Sequence, residues 1–249
     1  MGKTIKTTSG AFMKKSELVW DAKMPPHIPM IIRLDGSGFH KWTKKTKCEK
    51  PFDEKLIKLM SETTKFLCEN ISGSVFGYTQ SDEISLLILD NQTSFSEAWF
   101  NKRVEKICSI SASMATYFFN ENNPFDDKFP AFFDSRTFII PETEVKRYFV
   151  WRQTDATKNS LSMLAQSFYS HSELLGKKRS ELLKLCFKKG QDWAELSRPK
   201  KRGVSVYIKE VLKTTGLKPS LRKQFFIDYE TPTFVKQDCK LFDNFSLKE

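Results

Sequence analysis

Three acidic residues lie where the sequence pattern predicts strand ends, away from solvated helix faces. Asp35 follows the apolar run at residues 30–34, and Asp82 and Glu83 occupy a tight turn between two further apolar runs. Carboxylate oxygens suit Mg²⁺, and two such ions about 4 Å apart can activate an attacking hydroxyl and stabilise a leaving pyrophosphate. Taken singly, Asp35 or Asp82 could simply cap a turn. As a set, the acids predict a Mg²⁺ site for phosphoryl or nucleotidyl transfer.

The residues around the acids favour oxygen chemistry over zinc chemistry. Gly36 and Gly38 break the first apolar run into a loop suited to backbone contact with phosphate. The chain has 5 cysteines without a CxxC pair and 3 histidines, a poor supply of zinc ligands. Cys68 and Cys108 fall on apolar helix faces, which predicts small buried thiols in a reducing compartment.

The elements that must position the acids follow the order βαββαβ. Apolar spacing predicts two helices, at residues 53–70 and from a capping box at Ser94 and Glu97 to near Asn120. It predicts strands at residues 30–35, 74–78, 84–89 and 131–140. This is the order of an α+β, ferredoxin-like sheet with two helices on one face and the first and third strands antiparallel neighbours. That geometry brings Asp35 to Asp82 and Glu83.

The second part of the chain is predicted to be more helical and more basic. We expect residues 1–140 to form a catalytic domain and residues 141–249 to form an extension packed on it as one unit. The extension has helical patterns at residues 161–171 and 173–188, a basic cluster at 198–202 and a last strand at 204–207. The sequence has no signal-peptide pattern and no run long enough to span a bilayer. We therefore expect a cytoplasmic protein without membrane contact.

The charge balance favours a polyanionic partner. The chain has 41 Lys and Arg against 30 Asp and Glu, a formal net charge of +11, and its sequence pI is near 9.3. Nucleic acid fits such a balance, although charge alone fits a solvated basic surface equally well.

Five segments resemble the histidine-tRNA guanylyltransferase family, in the right order over most of the chain. They are IRLDGSGFH at residues 32–40, KP at 50–51, GYTQSDE at 77–83, FDSR at 133–136 and WRQTD at 151–155. The closing runs RGVSVY at 202–207 and ETPTF at 230–234 are also similar. The resemblance implies a polymerase-like palm that adds nucleotides to the 5′ end of tRNA, in the 3′-to-5′ direction.

The resemblance also implies a role for each matching residue. Asp35, the carbonyl of Gly36 and Asp82 would hold two Mg²⁺ ions, and Glu83 would support the site. Nucleotide binding would fall to Gly36, Ser37, Gly38, Phe39, His40, Lys50 and Ser81. Without the motif, His40 would be interpreted as a satisfied structural group and Lys50 as an ordinary solvated lysine.

The implied reaction has an activation step and a transfer step. ATP first adenylylates the 5′ monophosphate of the tRNA, and the 3′ hydroxyl of an incoming nucleotide, typically GTP, then attacks the activated phosphate. The partners are therefore tRNA and nucleoside triphosphates, and the family resemblance implies a homotetramer built as a dimer of dimers. Candidate RNA contacts, each of which could equally serve solubility, are Lys102, Arg103, Lys106, Arg136, Arg152, Lys158 and the cluster from Lys200 to Arg202.

One segment departs from the eukaryotic pattern. Where members that read the histidine anticodon carry His-Ile-Asn-Asn after the WRQ segment, this chain has TKNS at residues 157–160. This favours the bacterial and archaeal branch, whose members repair truncated tRNA 5′ ends by templating across the acceptor stem, over dedicated guanylylation of histidine tRNA. A nucleotide cyclase-like enzyme with a similar palm and a non-catalytic RNA-binding protein are the alternatives from other classes.

Overall fold

The structure is a computed structural model that describes residues 10–19, 21–90, 97–125, 128–213, 220–236 and 239–245. The described strands are β1 (Met30–Gly36), β2 (Ser74–Gln80), β3 (Glu83–Ile88), β4 (Phe133–Ile139), β5 (Val204–Lys213) and β6 (Ser220–Asp228). The described α-helices are α1 (Gly10–Leu18), α2 (Phe39–Lys45), α3 (Glu54–Asn70), α4 (Val104–Glu121), α5 (Val145–Gln166), α6 (His171–Leu174), α7 (Arg179–Lys188) and α8 (Arg198–Arg202). None of these helices is long and apolar enough to cross a membrane.

The strands form one sheet in the order β4-β1-β3-β2-β5-β6, in which all described pairs are antiparallel. The first four strands, with α3 and α4, make the predicted βαββαβ unit, and β1 and β3 are antiparallel neighbours. The α+β, ferredoxin-like fold class is therefore confirmed. The pairing of Asp35 with Glu83 also confirms that the acids meet at one edge of the sheet.

One face of the sheet packs on α3 and α4. Alternate residues of β1, namely Met30, Ile32 and Leu34, belong to a buried cluster with apolar residues of both helices, as the two-residue repeat of a strand requires. Helix α3 begins where predicted, because the Asp53 carboxylate accepts hydrogen bonds from the first-turn amides of Lys55 and Leu56. Packing against α3 and α4 therefore fixes the position of β1, and Asp35 lies at the end of this strand.

The opposite face of the sheet is covered by the C-terminal part of the chain. Ile31 and Leu87 point to this face and share a buried cluster with Phe149 of α5 and with Phe234. Since side chains alternate along a strand, Asp35 points to the same face as Ile31. The acids therefore lie under α5, a helix whose first half had not been predicted.

Several element boundaries differ from the sequence prediction. Helix α4 begins at Val104 after a 3-10 turn at Trp99–Lys102, so Glu97 precedes the helix, and Ser94 lies outside the described residues. In that turn Phe100, Asn101 and Lys102 have φ near +50°, a left-handed run that periodicity cannot reveal. Strand β5 is longer than predicted and pairs with β6, a strand the prediction omitted. The proposed domain division stays a prediction, although β5 and β6 continue the palm sheet.

Candidate active site

The three acids are brought together by the register of β1 and β3. Asp35 is the cross-strand partner of Glu83, and the Gly36 amide donates to the Asp82 carbonyl at 3.1 Å. Ser81, at the tip of the β2–β3 turn, has φ +52°, a left-handed conformation that turns the chain sharply. Residues separated by almost fifty positions in sequence therefore share one sheet edge.

Asp35 and Asp82 form an uncompensated negative pair. Within the described residues, neither carboxylate lies within 4.0 Å of a Lys, Arg or His nitrogen. Burial, and then the charge of Asp35, raises the pKa of Asp82 above its usual value, while a hydrogen bond from Ser81 opposes the shift. Two close carboxylates without a protein cation form a site that a divalent cation would stabilise.

Glu83 has a different environment, because it is paired with α5. Its Oε1 lies 2.7 Å from Nε of Arg152, so the two side chains form an ion pair. Burial raises the pKa of Glu83, and the charges of Arg152 and Arg33 oppose that rise. No three His, Cys, Asp or Glu side chains of the described residues converge as a metal-binding group. Glu83 is therefore paired with α5, whereas Asp35 and Asp82 have no ion-pair partner among the described residues.

The loop after Asp35 is fixed by aromatic packing beneath it. A Cβ on Gly36 would overlap the ring of Phe39, so glycine is required there. Phe39 is 3% exposed and packs on Trp42, Phe119 and Phe133. Its ring therefore supports the loop from the core, and only its backbone can face a nucleotide.

The remaining nucleotide-binding candidates border the acids with exposed groups. Ser37, Gly38, His40, Lys50 and Ser81 are all exposed. The Gly36 and Ser37 amides are used in hydrogen bonds to carbonyls of Asp82 and Phe132. The amides of Lys41 and Trp42 donate to the Gly38 carbonyl. The amides of Phe39 and His40 begin α2, and the first turn of a helix gives such amides no intrahelical partner. Their role in binding phosphate stays a prediction.

The donor set fits Mg²⁺. Asp35 and Asp82 offer hard oxygen ligands that form no ion pair with a described Lys, Arg or His, and the Gly36 amide donates to the Asp82 carbonyl. An ion held by two carboxylates keeps positions for water and phosphate oxygens, as Mg²⁺ at nucleotide sites requires. The number of ions stays a prediction.

Two candidate RNA contacts are interior residues, which corrects the prediction for them. Lys102 is 1% exposed; its Nζ lies 3.1 Å from Asp90 and donates to the Ile28 carbonyl at 2.7 Å. Arg152 is 5% exposed and is paired with Glu83. The sequence predicts surface cations at both positions because it does not show the buried carboxylate that pairs with each one.

The other RNA candidates remain accessible. Lys106 and Lys158 are exposed, and Arg136 is exposed and paired with Asp134. Arg103 is ion-paired with Asp21 at 2.9 Å, and with Lys106 it lines an open cavity of about 620 Å³. Lys200 is ion-paired with Glu54 at 2.7 Å. Their contacts with RNA stay predictions.

Sequence reasoning missed the residues of α5 that surround Glu83. Trp151 lies against the guanidinium of Arg152, with 4.2 Å from Cζ to the ring centroid, and Arg33 approaches the same ring at 6.0 Å. Tyr148 hydrogen-bonds Ser85 at 2.9 Å. The available signal was the position of Arg33, two residues before Asp35 and therefore on the same face of the strand.

Comparison with protein families gives a match to the model described as tRNAHis guanylyltransferase (Thg1) over residues 10–141, more than half of the 249-residue chain. The chain belongs to this family. The match spans β1 to β4 and so includes Asp35, Gly36, Asp82 and Glu83. The tRNAHis guanylyltransferase family consists of nucleotidyltransferases, in agreement with the palm fold and the acid pair.

Curated relatives match over part of their length. The chain is 34% identical to tRNA(His) guanylyltransferase of Schizosaccharomyces pombe over 56% of this chain and 53% of that protein. It is 31% identical to the probable human tRNA(His) guanylyltransferase over 61% of this chain and 53% of that protein. The chain thus spans about half the length of the curated relatives it matches.

Solved structures of bacterial Thg1-like proteins match nearly end to end. One, in complex with ATP, is 38% identical with a TM-score of 0.84, covering 96% of this chain and 98% of that chain. Another, in complex with GTP, is 36% identical with a TM-score of 0.79, covering 95% and 97%. The Saccharomyces cerevisiae enzyme, at 24% identity and a TM-score of 0.66, shares the fold.

Proposed function

We propose that this protein adds nucleotides to the 5′ end of tRNA in the 3′-to-5′ direction, and that it repairs tRNAs that lack 5′ nucleotides. The observation that carries the proposal is the uncompensated Asp35–Asp82 pair beside the Gly36 turn. Such a pair is suited to cations that bind triphosphate. The family relationship supplies the acceptor, since its members are named for guanylyl transfer to tRNA.

The proposed reaction has an adenylylation step and a transfer step. The 5′ phosphate of the RNA attacks the α-phosphorus of ATP, which forms an adenylylated 5′ end and releases pyrophosphate. The 3′ oxygen of the incoming nucleotide then attacks the 5′ phosphorus of the RNA, AMP leaves, and the hydroxyl proton passes to solvent. Asp35, Asp82 and the Gly36 carbonyl would hold Mg²⁺, which when bound would lower the pKa of the attacking hydroxyl and neutralise charge on the phosphates.

The chain's own groups hold and orient the reactants. Asp35, Asp82 and the Gly36 carbonyl would bind the cations. The Phe39 ring packs beneath Gly36 and so fixes the position of the turn at the end of β1. Lys50 and His40 offer donors to phosphate from the exposed side, and Ser81 lies at the turn beside Asp82. Orientation of two substrates in this way supplies much of the rate enhancement of a transfer reaction.

The segment at residues 157–160 supports repair over dedicated guanylylation of histidine tRNA. It lies within α5, where Ser160 is buried and accepts a hydrogen bond from the Trp193 indole at 3.1 Å. Lys158 and Asn159 are the exposed members of this segment. The end-to-end similarity to bacterial Thg1-like structures gives further support.

The distribution of charge supports an RNA partner. We define the basic lobe as residues 171–190, which contain α6 and α7. It has six Lys or Arg residues against two Glu residues, and none of the six is in an ion pair with a described residue. On α7, Lys184, Phe187 and Lys188 share one exposed helix face, and Phe187 is 70% exposed. Cations beside an exposed ring suit the backbone and bases of RNA.

Template dependence is the decisive test of repair. Purified full-length protein is incubated with Mg²⁺, ATP, each labelled nucleoside triphosphate in turn, and tRNAs that lack the first nucleotide. We expect incorporation only of the nucleotide complementary to the opposite acceptor strand, with little change when the histidine anticodon is exchanged. Strong dependence on that anticodon would support dedicated guanylylation instead. Label in cyclic nucleotide, or no label transfer, would contradict the proposal.

We also propose that the protein is a homotetramer. The basis is the family relationship. Light scattering of the full-length protein is expected to give four times the chain mass of 29.0 kDa, and a monomer at micromolar concentration would contradict it.

A further inference from the structure

The turn between β2 and β3 carries two neighbouring acids with opposite electrostatic environments. Asp82 has no cationic partner within the described residues, whereas Glu83 has a buried one in Arg152 at 2.7 Å. Both acids border Asp35, because Glu83 is its cross-strand partner and Asp35 raises the pKa of Asp82. The difference between the two acids therefore comes from α5.

Arg152 is held by its own helix. Its Nη2 lies 2.9 Å from the Asp155 carboxylate one helical turn away, and its guanidinium lies against Trp151. The helix is anchored around it by Phe149, which is fully buried, and by Ala156. A guanidinium fixed on both sides loses little freedom when it binds a third group. Glu83 is thus held by a rigid partner.

A free Glu83 would have a competing ligand nearby. Its carboxylate lies across the strand pair from Asp35, one residue from Asp82. A cation held by Asp35 and Asp82 would attract it, and a third carboxylate would fill a coordination position and reduce the net positive charge offered to phosphate. Within the described residues, no three acidic side chains converge in this way.

We propose that Arg152 is a positioning residue that holds the Glu83 carboxylate against α5 and keeps it out of the Asp35–Asp82 cation site. The inference rests on the cation site of the proposed function. It gives the site two carboxylates and leaves coordination positions open for triphosphate oxygens. It also gives Arg152, first taken for an RNA contact, a role beneath the active site.

Binding of Mn²⁺ in the absence of substrates tests this role without turnover. The Kd is measured by electron paramagnetic resonance for the wild type, Arg152→Met, Glu83→Gln and the double variant. We expect Arg152→Met to bind Mn²⁺ about fivefold or more tightly, because the freed carboxylate joins the site. Glu83→Gln should stay within about twofold of the wild type, and the double variant should match Glu83→Gln.

Kinetics of nucleotide incorporation provide the second readout. Arg152→Met is expected to lower kcat about tenfold or more, since tighter metal binding fills a position that phosphate needs. Adding Glu83→Gln to Arg152→Met should recover part of that loss. The matched control is Arg147→Met on the same helix, where an exposed Arg147 pairs with Glu144 at 2.9 Å. It should change neither Mn²⁺ affinity nor kcat.

Each outcome decides between the roles. A loss of Mn²⁺ affinity in Glu83→Gln would make Glu83 a ligand and overturn the proposal, as would an unchanged affinity in Arg152→Met. If circular dichroism shows that Arg152→Met does not fold, the result for Glu83→Gln decides alone. The Mn²⁺ affinity of Asp35→Ala distinguishes failure of the Arg152 role from failure of the proposed function. Equal Mn²⁺ affinity in Asp35→Ala and the wild type would mean that the cation site itself is misplaced.

Discussion

Two regions of the molecule carry charges that form no ion pair within 4.0 Å with a described side chain of opposite sign. At the sheet edge, Asp35 and Asp82 form a negative pair without a cationic partner. In the basic lobe, six cations lie on and beside α7 without an ion-paired acid. By contrast, the buried charges of Glu83 and Lys102 are each compensated, by Arg152 and Asp90. The protein therefore neutralises its interior charges selectively.

The two uncompensated regions differ in construction, and the difference indicates what each one binds. The acid pair is partly buried and built from distant segments by strand register, so its two charges converge on a small volume. The basic lobe is local in sequence and exposed, so its charges are spread and screened by salt. A concentrated buried pair suits a small hard cation, and a spread exposed set suits a polyanion.

The largest expected effect follows from removing either member of the acid pair. Asp35→Ala and Asp82→Ala should each lower incorporation at least about 1000-fold, because a two-carboxylate site that loses one ligand no longer holds its cation. Incorporation of labelled GTP into truncated tRNA is the measurement, and the thermal midpoint should remain that of a folded protein. Glu144→Ala, which removes a half-exposed acid that is paired with Arg147, is the control. Activity within about tenfold of the wild type in both variants would show that Asp35 and Asp82 do not hold a catalytic cation.

A smaller effect is expected from filling the space at Gly36. In Gly36→Ala, the new Cβ would meet the Phe39 ring, so the turn or the ring must move, at a cost of about 1–3 kcal/mol of unfolding free energy. Displacement of the turn should lower incorporation about 100-fold. Denaturant unfolding and the incorporation assay measure the two effects. Gly10→Ala, which meets nothing within 4 Å, is the control, and equal behaviour of the two variants would show that Phe39 does not fix the turn.

Substitutions in the basic lobe should have a salt-dependent effect on RNA affinity. Neutralising Lys184→Gln and Lys188→Gln together should weaken tRNA binding about tenfold and lower the slope of log K against log salt by about 2, because two phosphate contacts are lost. Filter binding at several salt concentrations measures both quantities. The pair Lys55→Gln and Lys58→Gln on α3 removes the same charge elsewhere and should leave the slope near the wild-type value. Equal slopes in the two double variants would assign the basic lobe to solubility.

The smallest effect is a pH dependence of stability that comes from Asp82. Its raised pKa means that the metal-free folded protein binds the proton more tightly than the unfolded chain does. The Asp82 contribution to stability is therefore present at low pH and lost as pH rises from the usual carboxyl range through the raised value. Asp82→Asn should gain unfolding free energy relative to the wild type over that interval. A difference that does not change with pH would show that Asp82 is not perturbed.

The fold around the acid pair could be predicted because local patterns specify it. Asp53 predicts the start of α3, and apolar spacing predicts the four palm strands closely enough to pair Asp35 with Glu83. The motifs at residues 32–40 and 77–83 then identify the family, which the match over residues 10–141 confirms.

The surroundings of Glu83 could not be predicted, because they depend on tertiary contacts across the second face of the sheet. The residue spacing of α5 does not show that Arg152 contacts Glu83. Lys102 is buried by a left-handed turn that contains no glycine, so the sequence gives no sign of that turn. A charged residue in a sequence is expected at the surface, since most such side chains are exposed. Only the structure shows which Lys or Arg side chains are buried in an ion pair with an acid. The length of β5 was missed for a related reason, since its partner β6 is recognised only once the hairpin forms.

The fate of the 5′ phosphate shows whether the Asp35–Asp82 site joins a nucleotide to the 5′ end of tRNA. A truncated tRNA is labelled on its 5′ phosphate and incubated with protein, Mg²⁺, ATP and the complementary nucleoside triphosphate. Attack by the nucleotide's 3′ oxygen converts that phosphate into an internal diester, whereas adenylylation alone leaves it in an anhydride with AMP, and both forms resist phosphatase. Ribonuclease digestion separates the two forms. With the wild type the label should appear in the fragment that carries the added nucleotide, and with Asp82→Ala it should stay sensitive to phosphatase. A label that remains phosphatase-sensitive, or that is found only in the adenylylated fragment, with the wild-type protein and all substrates would contradict this role of the site.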